Sequence, residues 1–365
     1  MTFRDQLLLL TAFILLFPLP LLGDDESTQQ SAMIQQDIAA LSSDNFAERE
    51  AATKRLKTLG RPAIAPLAKA ASNAELETTN RVLQVLASFY DNNDDATLDE
   101  LDAALEELVE SAEPSAARRA AAAIAVHADD RDRRAIKKLK ELKAMVLPAG
   151  INGPNEDIGG PLQIWIDDQW QGGDKELRQF RRLRPGRLQA VYRVQDCPAS
   201  LDAVRKLEQQ IPNSSVQERG AACLGLQAGP PKARGFEIQK ATPEGSIAAA
   251  GIRDRDVIIK YAGQVVDNFE QLVEMIKKNK VGDTVKVGFL RQMKNDDNID
   301  EEVELSADVR LKSWREFFQD KKRNERKKAA GVTIPSKPIP TPFPTPKAKP
   351  TPKPTPKNNE SLDKK

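Results

Sequence analysis

The sequence predicts a multidomain α+β protein, with an all-helical first part, a short α/β stretch, a compact mixed module and a proline-rich tail. Three observations carry this. Apolar and small residues recur at helical spacing over residues 31–145, and alternating apolar runs precede short helical stretches over 162–220. Five strand-like runs and two helices then follow over 221–310. At 365 residues the chain is long enough for each part to bury a core of its own.

The opening "MTFRDQLLLLTAFILLFPLPLLGDD" places Arg4 ahead of an apolar run from Leu7 to Leu22, then Gly23 and two acids. A charged start, an apolar middle and a small residue at the end is the layout of a secretory signal peptide over residues 1–23. The mature chain is then expected to be extracytoplasmic, periplasmic or secreted, with no transmembrane span after cleavage. A retained anchor is the competing reading. Against it, the run is short for a span of about 20 residues, and Pro18 and Pro20 interrupt its second half.

The helical part, 31–145, opens with "DNFAEREAATKRLKTLG". Asp44 is a cap candidate, Phe46, Ala52, Leu56 and Leu59 share a face, and Gly60 is a stop. Pro62 begins a second helix. The set Arg49, Ala52 and Leu56 has counterparts in Thr79, Val82 and Leu86, and again in Arg118, Ala121 and Ala125. Small inner residues let paired helices approach closely, and stacked pairs bury faces that one pair leaves bare. With "FAEREAATKRL" as its best match, the region resembles HEAT/armadillo-type helical repeats, and an ordinary bundle is the alternative. Either implies scaffolding rather than chemistry.

Gly, Pro and Asn then crowd a linker at 146–161. Beyond it, Ile164, Ile166 and Gln169 are matched by Tyr192, Val194 and Cys197, 28 residues later. Each run precedes a helical stretch, Leu177/Phe180/Leu183 and then Leu201/Val204/Leu207, and Val216 starts a third strand. In "YRVQDCPASLDAVRKL" the segment resembles a leucine-rich repeat, which implies that Cys197 has a structural role.

The module at 221–310 reads as strands "CLGLQAG", "GFEIQKA", "DVIIKYAG", "DTVKVGFLR" and "EEVELSA", with a short helix in "EGSIAAAG" and a longer one in "DNFEQLVEMIKKNK". Asp267 and Glu270 form a capping-box-like start to the second helix. The run Ala248-Ala249-Ala250-Gly251-Ile252, followed by Asp254, Asp256, Val257 and Ile258, resembles the signature of PDZ domains of the bacterial envelope type. Arg255 stands where that family usually has Gly, so the turn is expected at negative φ. The resemblance implies a β-sandwich or barrel with two helices that captures an extended C-terminal peptide as an added strand. It further implies a carboxylate loop at Leu224, Gly225 and Leu226, continued by Gln227, with Leu272 and Ile276 lining the pocket for the peptide's last side chain.

The end of the chain is basic. Residues 321–365 hold thirteen Lys/Arg against three Asp/Glu, a balance of +10 on a chain of net charge +1, so residues 1–320 carry −9. An amphipathic basic helix is expected at 311–328, with Leu311, Trp314, Phe317 and Phe318 on one face, either docked on the preceding module or lying on a membrane surface. Residues 329–365, dense in Pro, Thr and Lys, are expected to be disordered and extended.

Composition narrows the chemistry. His127 is the single histidine and sits in the Ala-rich helical run, which rules out a two-histidine zinc motif. Cys197 and Cys223 are too few for a disulfide framework. No serine-protease "GNSGG" loop occurs. The chain is therefore expected to be no enzyme, with no catalytic residues, cofactor or metal. It is read as an exported scaffold for C-terminal or extended peptides of envelope proteins. Alternatives are a regulatory partner or degenerate relative of an envelope serine protease, or a cell-wall or membrane-surface tether. Residues 321–365 add weak contact with anionic surfaces, and no specific nucleic acid is implied.

Overall fold

The computed structural model describes residues 24–72, 75–91, 93–111, 113–149, 160–294, 298–330 and 341–342. The expected leader at 1–23, most of the expected linker and most of the expected tail lie outside the described residues. By its internal contacts the chain divides into two compact units, residues 1–134 and 135–365.

The first unit is helical. It comprises α1 (Asp24–Ala40), α2 (Phe46–Leu59), α3 (Ile64–Ala71), α4 (Leu76–Ser88), α5 (Asp95–Val109), α6 (Pro114–Val126) and the first half of α7 (Ala128–Glu141). Helix α2 is capped by Asn45, whose side chain accepts from Ala47 N–H at 3.0 Å, one residue beyond the expected Asp44. Gly60 ends that helix as expected, and Pro62 sits in a single 3₁₀ turn before α3.

Ala52, Leu56, Val82 and Leu86 are fully buried, and Thr79 lies beside them. The third set departs from the expectation. Arg118, Ala121 and Ala125 are exposed, and α6 buries Ala116 and Ala120 instead. Alanine occupies so many positions of α6 that small-residue spacing does not fix which face turns inward. Contact with Leu101, Leu105 and Leu108 of α5 does.

One buried polar knot fastens this unit. Asp102, 1% exposed, accepts from Tyr90 hydroxyl (2.6 Å), Arg131 Nε (2.9 Å) and Arg134 Nη2 (2.9 Å). Burial, with Asp102 beside it, pushes the Tyr90 hydroxyl pKa up. His127 stacks on the Tyr90 ring with centroids 3.9 Å apart.

The boundary between the units falls inside α7, earlier than the expected end at 145, because Ala135 and Leu139 belong to the core of the second unit. That unit begins with a four-stranded sheet in the order β1 (Met145–Pro148), β2 (Leu162–Ile166), β3 (Leu188–Val194), β4 (Ser215–Arg219). Strand β1 occupies the start of the expected linker and pairs antiparallel with β2. The β2–β3 and β3–β4 pairs are parallel. Helices α8 (Arg178–Arg181) and α9 (Leu201–Gln210) make the crossovers.

Ile164 pairs with Val191, 27 residues on, and Val191 with Val216, 25 further. The expected partner of Ile164, Tyr192, instead faces Trp165. A slip of one residue exchanges the faces of a strand. Ile164 and Val191 therefore pack under the helices, while Trp165 and Tyr192 stack on the opposite face with ring centroids 4.0 Å apart. Cys197 is buried after β3, and its carbonyl accepts from Arg193.

The remaining elements are β5 (Ala222–Cys223), β6 (Leu226–Pro231), β7 (Phe236–Ala241), α10 (Ser246–Ala249), β8 (Val257–Tyr261), β9 (Gln264–Val265), α11 (Phe269–Lys277), β10 (Thr284–Lys294), β11 (Asp300–Arg310), β12 (Lys312–Ser313), α12 (Trp314–Ala329) and β13 (Thr341–Pro342). The main sheet runs β13-β11-β10-β8-β7-β6, with β9 attached to β8, and β12 pairs separately with β5. The module thus extends to Ser313, three residues past the expected limit of 310, since its last short strand closes against its first.

Two tail residues depart from the expected disorder, for Thr341 and Pro342 pair with Ser306 and Leu305 on the edge of β11. The module's core holds Phe236, Ile238, Ile247, Ile258, Tyr261, Leu272, Val287, Phe289 and Val309. The architecture is a mixed α+β arrangement of separate cores.

Candidate peptide-binding edge

The turn between β5 and β6 is built by two glycines in contact. Gly225 has φ +72°, and a Cβ there would lie 2.4 Å from Gly245 Cα. No side chain fits that approach, and a left-handed φ disfavours one in any case. Ser246 ties the surroundings together. Its hydroxyl donates to Cys223 C=O at 2.9 Å and accepts from Lys312 N–H at 3.1 Å, joining β5, α10 and β12.

This turn orients backbone donors. Leu224 C=O accepts from Ile247 N–H (3.1 Å), and Gly225 C=O accepts from Thr242 N–H (2.9 Å). In a trans peptide the N–H points opposite to the C=O. The N–H groups of Gly225 and Leu226 therefore face away from α10 and β7. The Gly225 N–H meets the Cys223 thiol, a weak acceptor that a carboxylate would outcompete. Burial pushes the Cys223 thiol up to about 12, and the Cys197 thiol is raised for the same reason, so neither sulfur is primed as a nucleophile.

The strand that follows, β6, is the last of its sheet, and among the described residues nothing pairs with its outer edge. Residues 225, 226 and 227 oppose 242, 241 and 240 in one register. Since Gly225 is bonded to Thr242, Gln227 turns its backbone groups the same way, toward β7, and Leu226 turns its own outward. Gln227 therefore meets a ligand on the open edge only through its exposed side chain.

Helix α11 is capped by Asn268, which accepts from Gln271 N–H at 2.8 Å, and Gln271 Oε1 accepts from Asp267 N–H at 2.7 Å. The reciprocal cap thus sits one residue beyond the expected Asp267–Glu270 pair. Of the two expected pocket residues, Leu272 is fully buried in the core and shows no surface to a ligand. Ile276 is half-buried, as are Phe269 and Met275 on the helix and Leu226 and Ala228 on β6. Lys277 lies beside Gly220, just ahead of β5.

Helix α12 braces the turn. The Phe317 ring lies 3.2 Å from where a Gly225 Cβ would stand, and Trp314 Nε1 donates to Gly220 C=O at 2.9 Å. The same helix holds the α/β segment: Arg315 donates to both carboxylate oxygens of Asp167 (2.9 and 2.7 Å), and Trp314 and Phe318 pack on Trp165. Its aromatic face is therefore inside the protein. Ser246, Lys312 and Phe317 escape a reading of the sequence because they lie 21 to 92 positions from Gly225, with no local pattern linking them.

Among the described residues no cluster of His, Cys, Asp or Glu is arranged to hold a metal ion. Nor is any helix among them long and apolar enough to cross a membrane.

No protein-family model matches the chain. Over 68 residues, 19% of the chain, it is 38% identical to the magnetosome formation protease MamE of Magnetospirillum gryphiswaldense, of which it spans 9%. Among solved structures it is similar to the serine endoprotease from Yersinia pestis, at 17% identity over 26% of this chain and 29% of that one, with a TM-score of 0.20. It is also similar to the HtrA-type protease AlgW with decapeptide, at 20% identity over 32% and 36% of the two chains, with a TM-score of 0.21. The sequence similarity is thus confined to a short part of the chain, which spans less than a tenth of that protein's length.

Proposed function

We propose that residues 221–313 are a PDZ-type module and that the protein is an exported, non-catalytic scaffold. It takes the free C-termini of envelope proteins on the open edge of β6. The observation that carries this is the turn at Gly225. Two carbonyls are drawn back against α10 and β7, which aims the Gly225 and Leu226 N–H groups at the head of an unpaired strand. Such a pair of donors suits a carboxylate, and the free edge suits the extended backbone behind it. The helical unit presents a surface, and the basic residues 321–365 add weak, salt-sensitive contact with anionic envelope surfaces.

Hydrogen bonds to a charged group contribute about 1.5–3 kcal/mol. Amidating the terminus of a bound peptide is therefore expected to weaken binding about 10- to 150-fold. Fluorescence polarisation with a library of free-acid and amidated peptides measures this. Equal binding of both forms would remove the carboxylate site and leave the module a spacer. Ile276→Lys, at the half-buried rim, is expected to lower affinity without unfolding the module.

A second reading is favoured by the sequence relation to a protease. In it the scaffold is a regulatory partner or degenerate relative of such an enzyme and acts on proteolysis in trans. A protease that co-purifies with the full chain, and whose activity changes on adding it, distinguishes this reading.

A further inference from the structure

We propose that this edge reads no more than about the last four residues of its peptide, because Pro230 and Pro231 end the supply of backbone donors. The inference rests on the peptide-capture reading above and concerns how far along a partner that capture extends.

The register of β6 carries it. Leu226 turns its N–H and C=O to the open side, as its pairing with Ala241 between the bonded pairs at 225 and 227 requires. Ala228 opposes Ile238, whose own N–H and C=O are bonded to Asp256 and Arg255 on the side of β8. Ala228 therefore also faces outward. Alternation makes Pro230 the next outward residue, and the register slip between Ala228 and Pro231 moves that position at most to Pro231. Neither proline has an N–H to give. The chain then leaves the edge in a tight turn, where Lys232 N–H donates to Gly235 C=O at 3.0 Å.

A peptide added antiparallel, with its carboxylate at the Gly225 turn, sets its last residue opposite Leu226 and its third-from-last opposite Ala228. The fifth-from-last carbonyl meets a proline and finds no donor. Adjacent prolines on an edge also discourage longer strands from pairing there, so the same two residues limit adventitious association of the sheet. The partners this selects are short, exposed chain ends. Long extended segments gain nothing further from this edge.

The test uses the full chain and a free-acid decapeptide selected from a random C-terminal library, together with its N-terminal truncations. Trimming from ten to four residues is expected to change Kd less than about threefold, whereas trimming to two residues costs at least about tenfold, because the residue paired with Ala228 is lost. In P230A/P231A the decapeptide is expected to bind about fivefold tighter, the effect of one restored hydrogen bond, while the tetrapeptide is unchanged. Thermal unfolding of the variant checks that the sheet is intact. A tenfold loss between ten and four residues in the wild type would overturn the inference and leave peptide capture standing. An intact variant with no length-dependent gain would equally overturn the assignment to the prolines. If no library peptide binds, peptide capture falls and this inference falls with it.

Discussion

Arg255 holds a left-handed backbone (φ +70°) in the turn before β8, where negative φ was expected. The turn is fixed from outside. Arg255 N–H donates to Ile238 C=O (2.8 Å), Asp254 accepts from Ala241 N–H (2.7 Å), and Asp256 accepts from Arg253 N–H (2.7 Å). Asp256, 2% exposed, is itself held by a two-pronged Arg291 at 2.8 and 2.6 Å. The two acids of the motif are therefore parts of the turn. A left-handed non-glycine residue costs about 1–2 kcal/mol, which glycine relieves at some cost in unfolded-chain entropy. Arg255→Gly is expected to stabilise the protein by about 1 kcal/mol, read as a rise in the denaturation midpoint. A fall would mean that the arginine side chain contributes more than its backbone strain removes.

Helix α12 shows how an element's role depends on what it meets. Its amphipathic face suits a membrane surface as well as a protein, and here it lies between the α/β sheet and the Gly225 turn, with Phe317 8% exposed. The Arg315–Asp167 pair is mostly screened from solvent, with side chains 25% and 6% exposed. Removing one partner strands the other, so Arg315→Ala is expected to cost about 2 kcal/mol, less than for a wholly buried pair. Chemical denaturation followed by tryptophan fluorescence measures it, since Trp165 and Trp314 lie at this contact. An unchanged midpoint would show that the aromatic packing alone holds the helix.

At the scale of the whole molecule, three carboxylates among the described residues, in different parts, have depressed pKa values. Asp94 is held down by the Thr97 N–H at the α5 cap, Asp174 by the Ser200 N–H, and Glu304 by Lys260 with Arg234 beside it. In each case the folded value lies below the unfolded one, so the stabilisation is complete above the unfolded pKa. It is lost as pH falls through the folded value. Stability is therefore expected to be flat from about pH 8 to 5 and to fall below about pH 4, as thermal unfolding across that range would show. Asp174→Asn should flatten the acid limb. A gain in stability on acidification would contradict the assignment.

At this scale also lies the division between what the residues announced and what folding settled. The mixture of helical and strand-bearing parts, the Gly60 stop and the strand runs were legible because each depends on local chemistry: a periodicity, a glycine, a pair of turn acids. Folding decided which alanines of α6 turn inward, the one-residue shift that pairs Ile164 with Val191, and the withdrawal of Leu272 into the core. It also decided that Phe317 braces a glycine 92 positions earlier. The physical reason is common to all of them. A repeating pattern of small or apolar side chains is satisfied by several faces and registers, and only packing against a distant partner lifts that degeneracy.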